Sequence, residues 1–177
     1  MRYWDTSAVL PLIVDEPARE RLLELYRRDS QIVAWWATPA EMASAVARRE
    51  CEGRISPEEA DAALWASKRL AATWHEVVPG DAIRRTAERL LRVHPLRAAD
   101  SLRLAATLIA ANHDLSTLEM ICFDSSLTAG ARREGFVVID SRGAPRQPEI
   151  SRGSFLAHGE PRTFRTTFHG RGHARGS

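Results

Sequence analysis

Lysine is almost missing from this chain. Of its 25 basic residues only Lys68 is a lysine, so arginine carries nearly all the positive charge. Arginine's planar fork suits phosphate and carboxylate contacts, although a base-composition bias in the gene produces the same usage. Cysteine is scarce as well. Cys51 and Cys122 stand far apart, with no metal-ligand partner at short spacing. That argues against a disulfide scaffold or a paired-cysteine zinc or redox site, and it suits a reduced, cytoplasmic setting. No run approaches the roughly 18 apolar residues of a membrane span. The start, Met1-Arg2-Tyr3-Trp4-Asp5, places an acid where a signal peptide needs an apolar run. There is no internal repeat, glycine-rich phosphate loop or nucleophile elbow, and His158, His169 and His173 are too scattered for a metal site.

What is present reads as an ordinary globular protein. A length of 177 residues, 44% hydrophobic and 27% charged, suits one domain with one sizeable core. The net charge of +2 is unevenly spread: residues 142–177 carry seven Arg and two Glu, net +5, and the rest is net −3. Beyond Ser141 apolar periodicity stops, and Pro, Gly, Arg, Ser and Thr dominate. The expectation is a folded domain over 1–141 and a basic, disordered tail over 142–177.

Within 1–141 short apolar runs alternate with helical patterns. Arg2–Trp4, Gln31–Trp35, Trp74–Val78, Glu119–Phe123 and Phe136–Ile139 read as strands. Thr6-Ser7 is a cap candidate for an apolar helix over Ala8–Val14, which must be buried against a sheet or another chain. Pro17 opens the next helix, with Leu22, Leu23 and Tyr26 inward. Thr38-Pro39-Ala40-Glu41 and Ser56-Pro57-Glu58-Glu59 both show a cap, a proline at the first helical position and an acid following, the signature of a capping box. Asp81–Val93 and the stretch around Arg97–Leu108 are helical, and Leu127–Glu134 is a short helix stopped by Gly135. Strands alternating with helices predict a parallel sheet covered on both faces.

Four acids stand at comparable places. Asp5 and Asp124 each follow a strand, and Glu41 and Asp100 each open a helix. In a doubly wound sheet the ligand crevice lies outside the carboxyl ends of the strands. If the two helices start at that edge, all four carboxylates converge. Each acid also has a local explanation: Asp5 and Asp124 as helix caps, Glu41 as half of a capping box. Asp100 has the weakest, because its neighbours are small and apolar. Converging carboxylates repel one another. No lysine and few arginines lie near them in sequence, so the countercharge is expected to be a hard divalent cation, Mg²⁺ or Mn²⁺. The chemistry that suits such a pocket is attack of water on a phosphodiester.

Four stretches carry a family resemblance: Trp4-Asp5-Thr6-Ser7-Ala8, Thr38-Pro39-Ala40-Glu41-Met42-Ala43-Ser44-Ala45, Arg97-Ala98-Ala99-Asp100-Ser101-Leu102-Arg103-Leu104-Ala105-Ala106, and Phe123-Asp124-Ser125-Ser126-Leu127. Phe136-Val137-Val138 after Gly135 fits a last strand. Over about 1–140 the chain resembles the PIN-domain family, and most closely the VapC-type ribonuclease toxins of bacterial toxin–antitoxin systems. The resemblance implies a three-layer α/β/α fold around a central parallel sheet of four to five strands, here with an irregular C-terminal tail. It implies a Mg²⁺- or Mn²⁺-dependent endoribonuclease. Asp5 and Asp100 would be the principal metal ligands. Glu41 would complete the pocket and orient the attacking water. Asp124 would bind a second metal or position water, and Thr6 or Ser7 would supply a hydroxyl or backbone N–H. Implied partners are RNA, a second copy of the chain in a homodimer, and a cognate VapB-type antitoxin whose basic tail enters the acidic pocket, with no membrane. Two departures stand out: Cys122 where a hydroxyl residue is often found two before the fourth acid, and the Arg-rich extension beyond about 141.

Other readings compete. A receiver domain wants an acidic pair near the first strand and a late lysine, and a haloacid-dehalogenase-type phosphatase wants an Asp where Ser7 stands. A non-catalytic PIN-like binding module, or a housekeeping RNA-processing nuclease without an antitoxin, shares the same residues.

Overall fold

The computed structural model describes residues 1–140. The expected tail over 142–177 lies outside the described residues. Five strands form one all-parallel sheet: β1 (Arg2–Trp4), β2 (Ile32–Trp35), β3 (His75–Val77), β4 (Glu119–Ile121) and β5 (Val138–Ile139), in the order β3-β2-β1-β4-β5. Seven helices connect them among the described residues: α1 (Thr6–Val9), α2 (Arg19–Arg28), α3 (Thr38–Cys51), α4 (Pro57–Ala71), α5 (Asp81–Val93), α6 (Ala98–Ala110) and α7 (Ser125–Glu134).

The strands are short because each crosses only the middle layer, and their side chains alternate between two cores. Tyr3, Val33, Trp35, Met120 and Val138 face one core with Ile83 and Leu90 of α5, Leu104 of α6 and Leu127 of α7. Trp4, Ile32, Ala34, Ile121 and Ile139 face the other, with Ala8, Val9, Leu22 and Met42 of α1, α2 and α3. This is the expected three-layer α/β/α arrangement. A third cluster, Leu10, Val14, Val46, Ala60 and Ala63, joins α3 to α4. No helix among the described residues is long and apolar enough to cross a membrane.

Local signals were strongest where no distant residue intervenes. The Ser56 capping box forms as expected: Glu59 N donates to Ser56 Oγ and Ser56 N donates to Glu59. Gly135 stops α7 in the left-handed region, at φ 103°. Two expectations need correction. The stretch Ala8–Val14 is not one α-helix: α1 ends at Val9 and Leu10–Leu12 is a 3₁₀ turn. Pro11 has no N–H to give a continuing α-helix. Its apolar residues Ala8, Val9, Leu10 and Val14 are buried in the chain's own cores. At the start of α3, Thr38 is no cap. It is buried and already helical, behind Ala37, and no side chain caps the helix.

The α5–α6 connection is pinned to α7 by Glu134. Arg89 donates to it at 2.8 Å, and His94 Nε2 lies 2.6 Å from Oε1. The Arg89 hydrogen bond, opposed by burial and aided by His94, holds the Glu134 carboxyl below the usual range. A depressed carboxylate pKa contributes stability above its unfolded value, and that stability is lost as pH falls. Arg89 is half exposed, so screening reduces the pair's worth. Glu134→Gln is expected to cost about 1 kcal/mol at neutral pH. Thermal melts from about pH 6 down to about pH 3 check this: the parent and the variant converge at the acid end.

Candidate functional site

The sheet order places the site. The chain moves from β1 outward to β2 and β3, then returns across β1 to β4 and β5. The switch point is therefore between β1 and β4, and a crevice opens beyond their carboxyl ends. Asp5 follows β1 and Asp124 follows β4. Glu41 lies in the first turn of α3, just after β2, and Asp100 in the first turn of α6.

Asp5 is the N-cap of α1. Its Oδ2 accepts from Ser7 N at 2.9 Å and from Ser7 Oγ at 2.5 Å. Ser7 Oγ also accepts from Phe123 N at 2.9 Å, which ties the end of β1 to the segment after β4. The cap explanation thus holds, but it uses only one carboxylate oxygen. Asp5 is 2% exposed, and its Oδ1 has no hydrogen-bond partner. Arg103 Nε lies 3.8 Å from that oxygen. Burial raises the Asp5 pKa, while Ser7 and Arg103 pull it back. A buried carboxylate oxygen left unsatisfied is costly unless a cation meets it.

Glu41 is no capping-box acid. Its side chain turns into the cleft, where Thr6 Oγ1 donates to Oε2 and Arg103 donates to Oε1 from Nε at 3.0 Å and lies 2.9 Å away at Nη2. Asp100 is 8% exposed. Its Oδ1 accepts from Arg103 Nη1 at 3.0 Å, one turn along α6. Burial raises its pKa, Arg103 opposes this, and the charge of Asp124 adds to the rise. Asp124 caps α7 by accepting from Leu127 N at 2.8 Å, and it is half-buried.

Arg103 is the residue the sequence reading missed. One guanidinium meets Asp5, Glu41 and Asp100. Burial alone would lower its pKa, but these acids outweigh it and the group is held firmly charged. The expectation that few arginines lie near enough in sequence, so that a divalent cation must supply the countercharge, overlooked this one: Arg103 already offsets three of the acids. The available signal was its place one turn after Asp100, on the same helix face.

Cys122 is compatible with the site. Its buried Sγ points to the Asp124 carbonyl at 3.7 Å, and burial pushes the thiol pKa up. The Asp124 side chain is held by the α7 backbone.

Asp5, Thr6, Ser7, Glu41, Arg103 and Asp124 line a cleft of about 630 Å³, and Arg48 of α3 lines it too. A larger groove, about 910 Å³, lies between Ile13–Pro17 and α4. Its Glu16 is already paired with Arg49, and it lacks the buried, unsatisfied oxygen of the acid cleft.

No family model matches the sequence, and no curated protein is significantly similar to it. Solved structures are similar. One is described as a toxin–antitoxin complex from Klebsiella pneumoniae, with a TM-score of 0.53 and 17% identity over 73% of this chain and 92% of that one. Another is a crystal structure of FitAcB from Neisseria gonorrhoeae, with a TM-score of 0.55 and 15% identity over 78% of this chain and 96% of that one. The likeness is one of fold.

A divalent metal fits the donor chemistry. All four acids offer hard oxygens, and Asp5 Oδ1 is buried without a hydrogen-bond partner. As the side chains stand, no group of three or more His, Cys, Asp and Glu among the described residues is arranged to hold an ion. Arg103 sits among the carboxylates instead, and it would have to yield to a metal.

Proposed function

We propose that this chain is a metal-dependent endoribonuclease of the PIN-domain type and the toxin of a VapBC-like toxin–antitoxin pair. The observation that carries the proposal is the unsatisfied Oδ1 of Asp5, buried at the switch point beside Glu41 and Asp100. The fold it shares with a chain of a toxin–antitoxin complex supports the same reading.

Asp5, Glu41, Asp100 and Asp124 would hold Mg²⁺ or Mn²⁺. When bound, such an ion acidifies water and offsets charge on a phosphoryl oxygen. The chain's own groups do the rest. Glu41, fixed by Thr6 and Arg103, would complete the pocket and orient the attacking water. The water oxygen would form a bond to phosphorus as the bond to one ester oxygen breaks, with the water's proton released to solvent and the leaving oxygen protonated from solvent. Ser7 holds Asp5 in place through its N–H and hydroxyl.

An antitoxin would block this site by offering an arginine to the carboxylates that Arg103 already meets, since a guanidinium fork pairs well with a carboxylate. A homodimer and a cytoplasmic location belong to the same proposal. The Arg103 clamp favours one competing reading, a non-catalytic module whose acids are already balanced.

The test uses the purified full chain with single-stranded and structured RNA. Cleavage is expected with Mg²⁺ or Mn²⁺, none with EDTA, and recovery on adding Mn²⁺ back. DNA of the same sequence should survive. RNA left intact under every metal condition favours the binding module. Growth arrest on expression, relieved by a small neighbouring gene product, would distinguish a toxin from a housekeeping nuclease.

A further inference from the structure

We infer that Arg48 is a substrate-binding residue that holds a backbone phosphate of the RNA beside the acid cleft; this rests on the nuclease reading above. The reason begins with charge. A cleft lined by Asp5, Glu41 and Asp124 repels a polyanion, and both Arg103 in the metal-free chain and an ion bound in its place are spent on the carboxylates. An RNA strand needs a further cation at the cleft to approach.

Arg48 is placed for that task. It lies two turns beyond Glu41 on α3, about 10 Å along the helix axis, and it lines the same cleft. Between them the cleft-facing residues of α3 are small: Ser44 and Ala45. The wall therefore leaves room for a sugar–phosphate chain running from the acids to Arg48. The buried, unsatisfied Oδ1 of Asp5 marks the other end of that path.

The neighbouring arginines are already used. Arg49 donates to the Ala45 carbonyl at 3.1 Å and pairs with Glu16. Arg48 is exposed, and its side chain has no hydrogen bond or ion pair among the described residues. An arginine fork left open at the rim of a phosphodiesterase cleft matches a phosphate in charge and shape.

The test measures RNA binding by fluorescence anisotropy, with full chains that also carry Asp100→Asn so that the probe stays intact. The probe is a labelled single-stranded RNA oligonucleotide. Arg48→Gln is expected to raise Kd roughly tenfold, the scale of one charge-assisted hydrogen bond. It should also reduce the slope of log K against log salt by about 0.7, the share of one phosphate contact on a single strand. Arg48→Lys should recover most of the slope. Arg28→Gln, an exposed arginine at the end of α2 and the opposite edge of the sheet, serves as the control and should leave both unchanged. In the cleaving parent background, Arg48→Gln should raise KM about tenfold with kcat and Tm kept. If Arg48→Gln binds and titrates like Arg28→Gln while the parent chain still cuts RNA, Arg48 has no such role and the nuclease reading stands. If the parent chain neither binds nor cuts RNA with Mn²⁺, both fall together.

Discussion

Asp5→Asn is expected to abolish RNA cleavage and, at the same time, to make the metal-free chain more stable at neutral pH. The loss should be at least about a hundredfold in kcat, because several kcal/mol of charge stabilisation depend on the ion this carboxylate would help to hold. The gain follows from its environment. Burial raises the folded-state pKa of Asp5. Such a group favours folding at low pH, and that benefit is lost as pH rises through its folded pKa. Asparagine removes the charge and keeps an oxygen to accept from Ser7 N and Ser7 Oγ. Asp100→Asn should show the same loss of cleavage, because that carboxylate would also help to hold the ion. Thermal melts in EDTA, paired with single-turnover cleavage in Mn²⁺, check both outcomes. An Asp5→Asn chain that melts earlier than its parent and still cuts would make Asp5 a helix cap and nothing more.

Arg103→Met should act in the opposite sense. Removing the guanidinium leaves Asp5, Glu41 and Asp100 facing one another without countercharge. The cost to the metal-free fold is roughly 2 kcal/mol, reduced from that of a fully buried pair because the side chain retains some solvent contact. For a chain of this size that lowers Tm by about 4–8 °C. Mn²⁺ should then bind at least about tenfold tighter than to the parent, because the ion no longer competes with a resident cation. Binding to the folded state alone raises Tm by mass action. Added Mn²⁺ should therefore return most of the lost stability in Arg103→Met and little in the parent. Calorimetric titration with Mn²⁺ measures the affinity directly. Weaker Mn²⁺ binding in the variant would show instead that Arg103 holds the ligands in position.

The history of Glu41 shows where sequence reasoning reaches its limit. Thr38-Pro39-Ala40-Glu41 has every local mark of a capping box. The same pattern at Ser56 forms one. The difference is that Thr38 is buried and Glu41 is drawn away by Thr6 and Arg103. Competition from distant groups decided the outcome, and no window around residue 41 contains them.

The periodicity of Asp81–Val93, the glycine stop at Gly135 and the run of apolar strands were legible in order along the chain, because each depends on neighbours a few positions away. So was the three-layer class, since strands alternating with helices have few ways to bury both faces of a sheet. That Asp5 and Asp124 stand at one edge followed from a parallel sheet; that they end neighbouring strands, with Glu41 and Asp100 joining them, depended on the return across β1, which tertiary packing alone selects. The role of Arg103 was settled in the same way. Its bond to Glu41 spans 62 positions, and a charge finds such a partner only after the two cores have closed around the sheet.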